Sequence, residues 1–191
     1  MPRKDIERFY ALKIDFAALG LAPWSRCDVR YFCTPADAEC FASTGVDGVH
    51  YCLLPGEETV YVVRPACGEE GRYVLPAAEN FREFLSFLLY CGNEAAIEQI
   101  ACMDEPAFRS CLTENAPCRE ALAVVAETFG LTPRDPFAKV KALQAAFDPE
   151  KLHFSDEYYE TLGLENPRGG SPEEYHPAFE TQVWFKTEKE E

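Results

Sequence analysis

Three runs rich in β-branched and aromatic residues, Val49–Leu54, Thr59–Val63 and Arg72–Leu75, follow one another almost without pause. Only Pro55-Gly56-Glu57-Glu58 separates the first two, and a stretch bearing Pro65, Gly68 and Gly71 separates the second from the third. A parallel crossover needs a dozen or more residues, so gaps this short force the runs to pair as an antiparallel meander. The periodicity then changes at Asn80. Asn80 can cap a helix, and Glu83 three residues on completes a capping-box pair. Phe81, Phe84, Leu85, Leu88 and Leu89 recur at helical spacing until Gly92 stops the run. Phe87 and Tyr90 widen the apolar side, which predicts the most buried helix of the chain, laid on one face of the sheet. The fold class is therefore α+β: a small antiparallel meander backed by an aromatic-rich helix, with a helical addition after it.

The flanks are read from local signals. Ile6, Phe9, Tyr10 and Lys13 predict one helical face over 3–13, followed by an irregular stretch, Leu19–Trp24. Val29–Cys33 is β-rich and is expected as a first strand. Thr34 as cap and Pro35 at the first helical position predict a helix running to Ser43, just before Gly45. After Gly92, a helix is expected over Glu94–Ala101. Asp104 caps a second, with Phe108, Cys111 and Leu112 inward. Pro117 opens a third, with the stripe Leu122, Val125, Ala126 and Phe129, ended by Gly130. Asp135-Pro136 starts a fourth, carrying Val140, Leu143 and Phe147. Residues 155–160 read as a helical turn or two, 166–172 as a loop, and 181–185, with Trp184, as a last short strand or packed tail. The organisation expected is a core over 1–92, a helical extension packed on it over 93–150 and a partly irregular tail over 151–191, all in one domain.

Charge removes some functions. The chain has 191 residues and a net charge of −15, which argues against a nucleic-acid surface and against an anionic membrane surface. Met1-Pro2-Arg3-Lys4 is not followed by an apolar h-region, and no run of about 18 apolar residues exists, so a cytoplasmic, non-membrane protein is expected. Nine cysteines, an odd number, lie between 27 and 118. Without an export signal they do not read as a disulfide framework. None are spaced C-x-x-C, and His50, His153 and His176 are scattered, so neither metal nor any other cofactor is expected. The thiols are expected to serve as small buried hydrophobes. No glycine-rich loop follows a strand, so nucleotide binding has no support.

Two sets of residues could carry function. His50 and Cys52 share one strand face and invite a nucleophile reading, that of a Cys/His hydrolase or transferase, but no third orienting group or oxyanion loop accompanies them. Asp47, Glu57, Glu58, Glu69 and Glu70 sit at turns and could meet a basic partner. In a meander, Glu57-Glu58 and Glu69-Glu70 fall at opposite ends of the sheet. Asp47-Gly48 also has a structural use, since glycine supplies positive φ and aspartate caps turns. Tyr158-Tyr159 and Trp184 are candidate aromatic contacts.

Phe41-x-x-x-Gly45-Val46-Asp47-Gly48-Val49-His50-Tyr51, the following hairpin, Pro76, and Phe81-Arg82-Glu83-Phe84-Leu85-x-x-Leu88-Leu89 together resemble the SUKH superfamily, which includes bacterial immunity proteins and fungal glucan-synthesis regulators. The resemblance spans residues 41–89, about a quarter of the chain. The Leu-Pro-containing first helix of that family and its Asn-Gly-Gly-like turn are missing, and the helices after 93 lie outside its common core. What the resemblance implies is a non-enzymatic module that neutralises a toxin, often a nuclease, by direct contact. The acidic charge agrees, because phosphate-binding active sites are basic. The alternative is an intracellular regulator or scaffold using the helical addition.

Overall fold

The computed structural model describes residues 2–25, 27–67, 72–114 and 118–167. Pro117, Glu69, Glu70 and the whole of 181–185 with Trp184 lie outside those residues. Five strands form one antiparallel sheet in sequence order: β1 (Ala22–Pro23), β2 (Glu39–Ser43), β3 (His50–Leu53), β4 (Val60–Val63) and β5 (Val74–Ala78). The meander expected from the short turns is thus its core, with two strands added in front. Helix α1 (Pro2–Tyr10) precedes the sheet, and α2 (Phe81–Cys91), α3 (Ala95–Gln99), α4 (Glu105–Glu114), α5 (Arg119–Phe129), α6 (Phe137–Ala146) and α7 (Asp156–Leu162) follow it.

Strand periodicity sorts the side chains into two cores. Tyr51, Leu53, Val60, Val62, Leu75 and Ala77 join Phe41, Phe9 and the inward side of α2 in the larger one. Cys40, Cys52, Tyr61, Val63 and Val74 leave the opposite face and meet Cys33, Leu152 and Tyr158 in a smaller one. The sheet is therefore covered twice, which explains why β3, β4 and β5 are buried at every position and lack an apolar–polar alternation. Sequence reading anticipated the helix-covered face. The second cover is an irregular segment, 27–38, with Trp24, together with 147–162.

Helix α2 begins as its sequence dictates. Asn80 Oδ1 accepts from Glu83 N at 2.9 Å, and Glu83 Oε2 accepts from Glu79 N at 2.8 Å, one residue outside the usual capping-box partner. Phe81 meets Phe9 and Phe41 edge-on at 5.7 and 5.6 Å, and Phe84 lies 4.9 Å from Tyr51. Fully burying such a ring stabilises by roughly 1.5–3 kcal/mol. Tyr90 does not widen the buried side as expected. It turns outward, and its hydroxyl accepts from Arg109 at 2.8 Å.

The later helices pack on this core. Helix α5 lies against α2, and two guanidinium groups cover its C-terminus. Arg8 donates to Thr128 O at 2.7 Å and Arg82 to Phe129 O at 2.5 Å, with Arg8 and Arg82 stacked 5.1 and 5.8 Å from the Phe129 ring. Cations there satisfy otherwise unpaired carbonyls. Helix α6 lies along β5, where Gln144 Nε2 donates to Pro76 O at 3.4 Å.

Several local expectations are overturned. Residues 34–43 do not form a helix: 39–43 is β2, because Phe41 and Ala42 face the large core while Cys40 faces the small one, and a sheet position outcompetes a cap signal. The Thr34 hydroxyl is spent on Tyr31 N and His50 rather than on a helix. Val29–Cys33 is not a strand, since Arg30 reaches forward to Pro35 O at 2.6 Å and Ala36 O at 3.2 Å and curls the segment into a loop. The third strand of the meander runs past Leu75 to Ala78. Lys13 lies outside α1, which ends at Tyr10. Of the cysteines, Cys27, Cys67 and Cys102 are exposed rather than buried.

Candidate interaction site

The turn between β2 and β3 is a tight hydrogen-bonded knot. Thr44 N donates to Val49 O and Val49 N to Val46 O, while the Thr44 hydroxyl lies 3.1 Å from Val46 O and from Val49 O. Asp47 has φ 51° and Gly48 φ 70°, both left-handed. Asparagine and aspartate tolerate that conformation better than other side chains, and glycine pays nothing for it. Gly48 has a second reason to be glycine. A Cβ there would lie 2.3 Å from Cζ of Tyr31. The Tyr31 ring rests directly on the turn.

Beneath that ring sits His50, buried at 1% exposure. Gly48 O can only accept, so Nδ1–H donates to it at 2.8 Å, and Nε2 accepts from the Thr34 hydroxyl at 3.1 Å. Thr34 Oγ1 in turn accepts from Tyr31 N at 2.9 Å. Trp24 and Tyr31 flank the imidazole at 5.0 and 6.0 Å. Burial pushes the His50 pKa down to about 4, outweighing the stabilising bond to Gly48 O. The ring is neutral at physiological pH and both nitrogens are committed.

Those commitments bear on the nucleophile reading. His50 and Cys52 do leave β3 on the same face, as alternation required. Cys52 is fully buried, and desolvation raises its thiol pKa well above the ordinary value. A buried thiol held protonated, on the same strand face as an imidazole bonded at both nitrogens, does not form the activated pair that a nucleophile needs.

What this knot offers outward is apolar. Val29, Tyr31 and Val46 are 69%, 40% and 63% exposed, and they lie on two segments that meet where Tyr31 touches Gly48. Asp47 is exposed on the same turn, and Asp28 is half-buried one residue before Val29. Sequence reading flagged Asp47 but missed Val29 and Tyr31, which it assigned to a strand. Their apolar residues flanking Arg30 were the available signal.

The other acidic candidates are elsewhere. Glu57 and Glu58 occupy the β3–β4 turn, at the opposite end of β3 from Asp47. Glu57 is not a free solvated carboxylate. Lys151 Nζ donates to both its oxygens at 3.0 Å and to the Tyr61 hydroxyl at 2.6 Å, and Tyr61 donates to Glu57 at 2.5 Å. Burial works to raise the Glu57 pKa, but the bonds from Tyr61 and Lys151 outweigh it and hold the carboxyl below its usual range. Glu57 thus ties the turn to the 149–151 segment. Tyr158 is buried, stacked 3.9 Å from Phe154, and Tyr159 is half-buried beside it.

A second polar cluster lies inside. The Tyr51 hydroxyl donates to Glu94 Oε2 at 2.8 Å, and Glu94 is 6% exposed, pressed against Gly20. Nearby, Arg64 is paired with Glu98, and its Nη2 lies 2.9 Å from Cys102 Sγ. Burial lifts the Glu94 pKa to about 8. Among the described residues no group of three or more His, Cys, Asp or Glu side chains is placed to hold a metal ion, and no helix is long and apolar enough to cross a membrane. A surface cleft of about 320 Å³ lies along β5 and α6 and another of about 440 Å³ at the start of α2, and neither is lined by His50 or Cys52.

Comparison with protein-family models, curated proteins and solved structures gave no match.

Proposed function

We propose that the chain is a non-enzymatic protein-binding module that meets a basic partner through the shelf formed by Val29, Tyr31 and Val46, with Asp47 at its rim. The observation that carries this is the concentration of exposed apolar side chains on two segments locked together by Gly48, Thr34 and His50. Exposed aromatic and aliphatic groups on a rigid base are what interface centres are built from. The net charge of −15 supports a basic partner, because it raises the encounter rate with a cationic surface. A toxin domain of the nuclease type is the partner class that both this charge and the resemblance to immunity proteins favour. A cytoplasmic location belongs to the same proposal.

The test is affinity capture from a lysate of the source cell. Wild-type protein is compared with Tyr31→Ala, Val46→Ser and Asp47→Lys. Retention of a basic protein by the wild type, weakened about tenfold or more by each substitution and by added salt, supports the reading. A partner retained equally by all four proteins places the contact elsewhere and overturns it.

A further inference from the structure

Cys40 and Cys52 face each other across the β2–β3 ladder, between the Glu39–Leu53 pair and the bulge at Phe41. Opposed residues of antiparallel strands hold their Cα atoms about 4.5–5.5 Å apart. That lies inside the roughly 4.4–6.8 Å that a disulfide requires. Both side chains leave the sheet on the same face and enter the same apolar cluster. Both thiols are free. Among the described residues, no other two cysteines are strand partners.

We infer that Cys40 and Cys52 are a redox pair that closes to a cross-strand disulfide when a small disulfide of the glutathione type is supplied. Cys40, the less deeply buried of the two, loses its proton and attacks one sulfur of that reagent. The reagent's S–S bond breaks, a mixed disulfide forms on Cys40, and one small thiolate leaves and takes up the proton. Cys52, deprotonated in turn, attacks the Cys40 sulfur, the mixed bond breaks, and a second small thiol departs. Two protein thiols are oxidised and one small disulfide is reduced to two thiols. Desolvation favours the protonated form of both groups, so closure is slow and proceeds through transient opening of β2. The bond would enclose the Thr44–Val49 turn in a covalent ring, whatever partner that turn meets.

The intact protein is incubated to constant composition in buffers of rising oxidised-to-reduced glutathione ratio, with a parallel series in urea below the unfolding transition. Samples are acid-quenched, alkylated under denaturing conditions and mapped by mass spectrometry. The expected result in the urea series is a Cys40–Cys52 cross-linked peptide, at least tenfold more abundant than any other cysteine pair. Cys52→Ser then carries at most a glutathione adduct on Cys40, and Cys40→Ser leaves Cys52 reduced. The wild-type map stands even where a serine variant fails to fold. Full alkylation of Cys40 and Cys52 in the urea series, with adducts on the exposed Cys27, Cys67 and Cys102, overturns the inference. So does a bridge from either residue to a different cysteine.

Discussion

Glu94→Gln should make the protein more stable, and increasingly so as pH rises. In the folded chain the Glu94 carboxyl is packed against Gly20 and bonded to the Tyr51 hydroxyl, with the Glu98 carboxylate near enough to oppose its ionisation. Burial and that neighbouring charge raise its pKa from 4.5 to about 8. A raised folded-state pKa means that the native protein holds this proton more tightly than the unfolded chain does. The associated stability is fully present below pH about 4.5, is lost progressively as pH rises, and is gone above about 8. At about 1.4 kcal/mol per pH unit, the whole loss is about 5 kcal/mol, with about 3 kcal/mol already gone at neutral pH. Glutamine cannot ionise, so the variant escapes the loss, while its amide oxygen still accepts from Tyr51. Any misfit of the amide NH₂ adds a constant that does not vary with pH. Urea unfolding of both proteins at pH 5, 7 and 9 reads the difference directly. Its growth by several kcal/mol between pH 5 and 9 is the expected outcome. A difference that stays flat across that range refutes the assignment of the proton to Glu94.

Two further substitutions probe the shelf. Gly48→Ala combines a left-handed φ of 70° with a Cβ only 2.3 Å from the Tyr31 ring, whereas Gly45→Ala, with φ 74°, meets nothing within 4 Å. Chemical denaturation should show a loss of about 1 kcal/mol for Gly45→Ala and about 3 kcal/mol for Gly48→Ala, the excess being the displaced ring. Equal losses would mean that Tyr31 does not rest on the turn. His50 titrates in the other direction. Its folded pKa is depressed to about 4 from 6.5, so the stability it contributes is present above pH 6.5 and is lost as pH falls towards 4, about 3 kcal/mol in all. Acid-side urea titrations of wild type and His50→Gln should converge over that window. A constant gap would show that the imidazole is not held neutral.

The parts of the fold that were legible in the sequence are those fixed by neighbours in the chain. Gaps too short for a crossover dictated the meander, and Asn80, Glu83 and Gly92 bounded α2 through contacts within four residues. What sequence could not show depends on partners far away. Thr34-Pro35 is a sound helix start in isolation, but the Thr34 hydroxyl was recruited by His50, 16 residues on. Glu57 reads as a solvated turn residue because its cation, Lys151, lies 94 positions later. The opposition of Cys40 and Cys52 is hidden for the same reason, since the local signals at Thr34-Pro35 place Cys40 in a helix and its strand partner lies beyond the turn. Asp47 was visible as a turn residue, whereas its companions Val29 and Tyr31 were legible only as β-formers.

The double cover of the sheet also bears on where the proposed recognition would occur. A sheet with one face in water can present a row of alternate side chains, but β3, β4 and β5 are buried at every position. Among the described residues, those three strands leave the turns and the covering segments to meet a partner. Segment 27–38 seals the smaller core with Cys33 and Ala38 and also turns Val29 and Tyr31 outward. A loop with so much exposed apolar surface would ordinarily forfeit binding energy in becoming ordered, at about 0.5–1.5 kcal/mol for each side chain immobilised. Tyr31 has little of that freedom left to lose. Its amide is held by Thr34, its ring lies on Gly48, and the imidazole beneath it is fixed at both nitrogens. The buried histidine, bonded at both ring nitrogens, supports Tyr31 and the turn, and on the proposed reading it keeps the shelf rigid before any partner arrives.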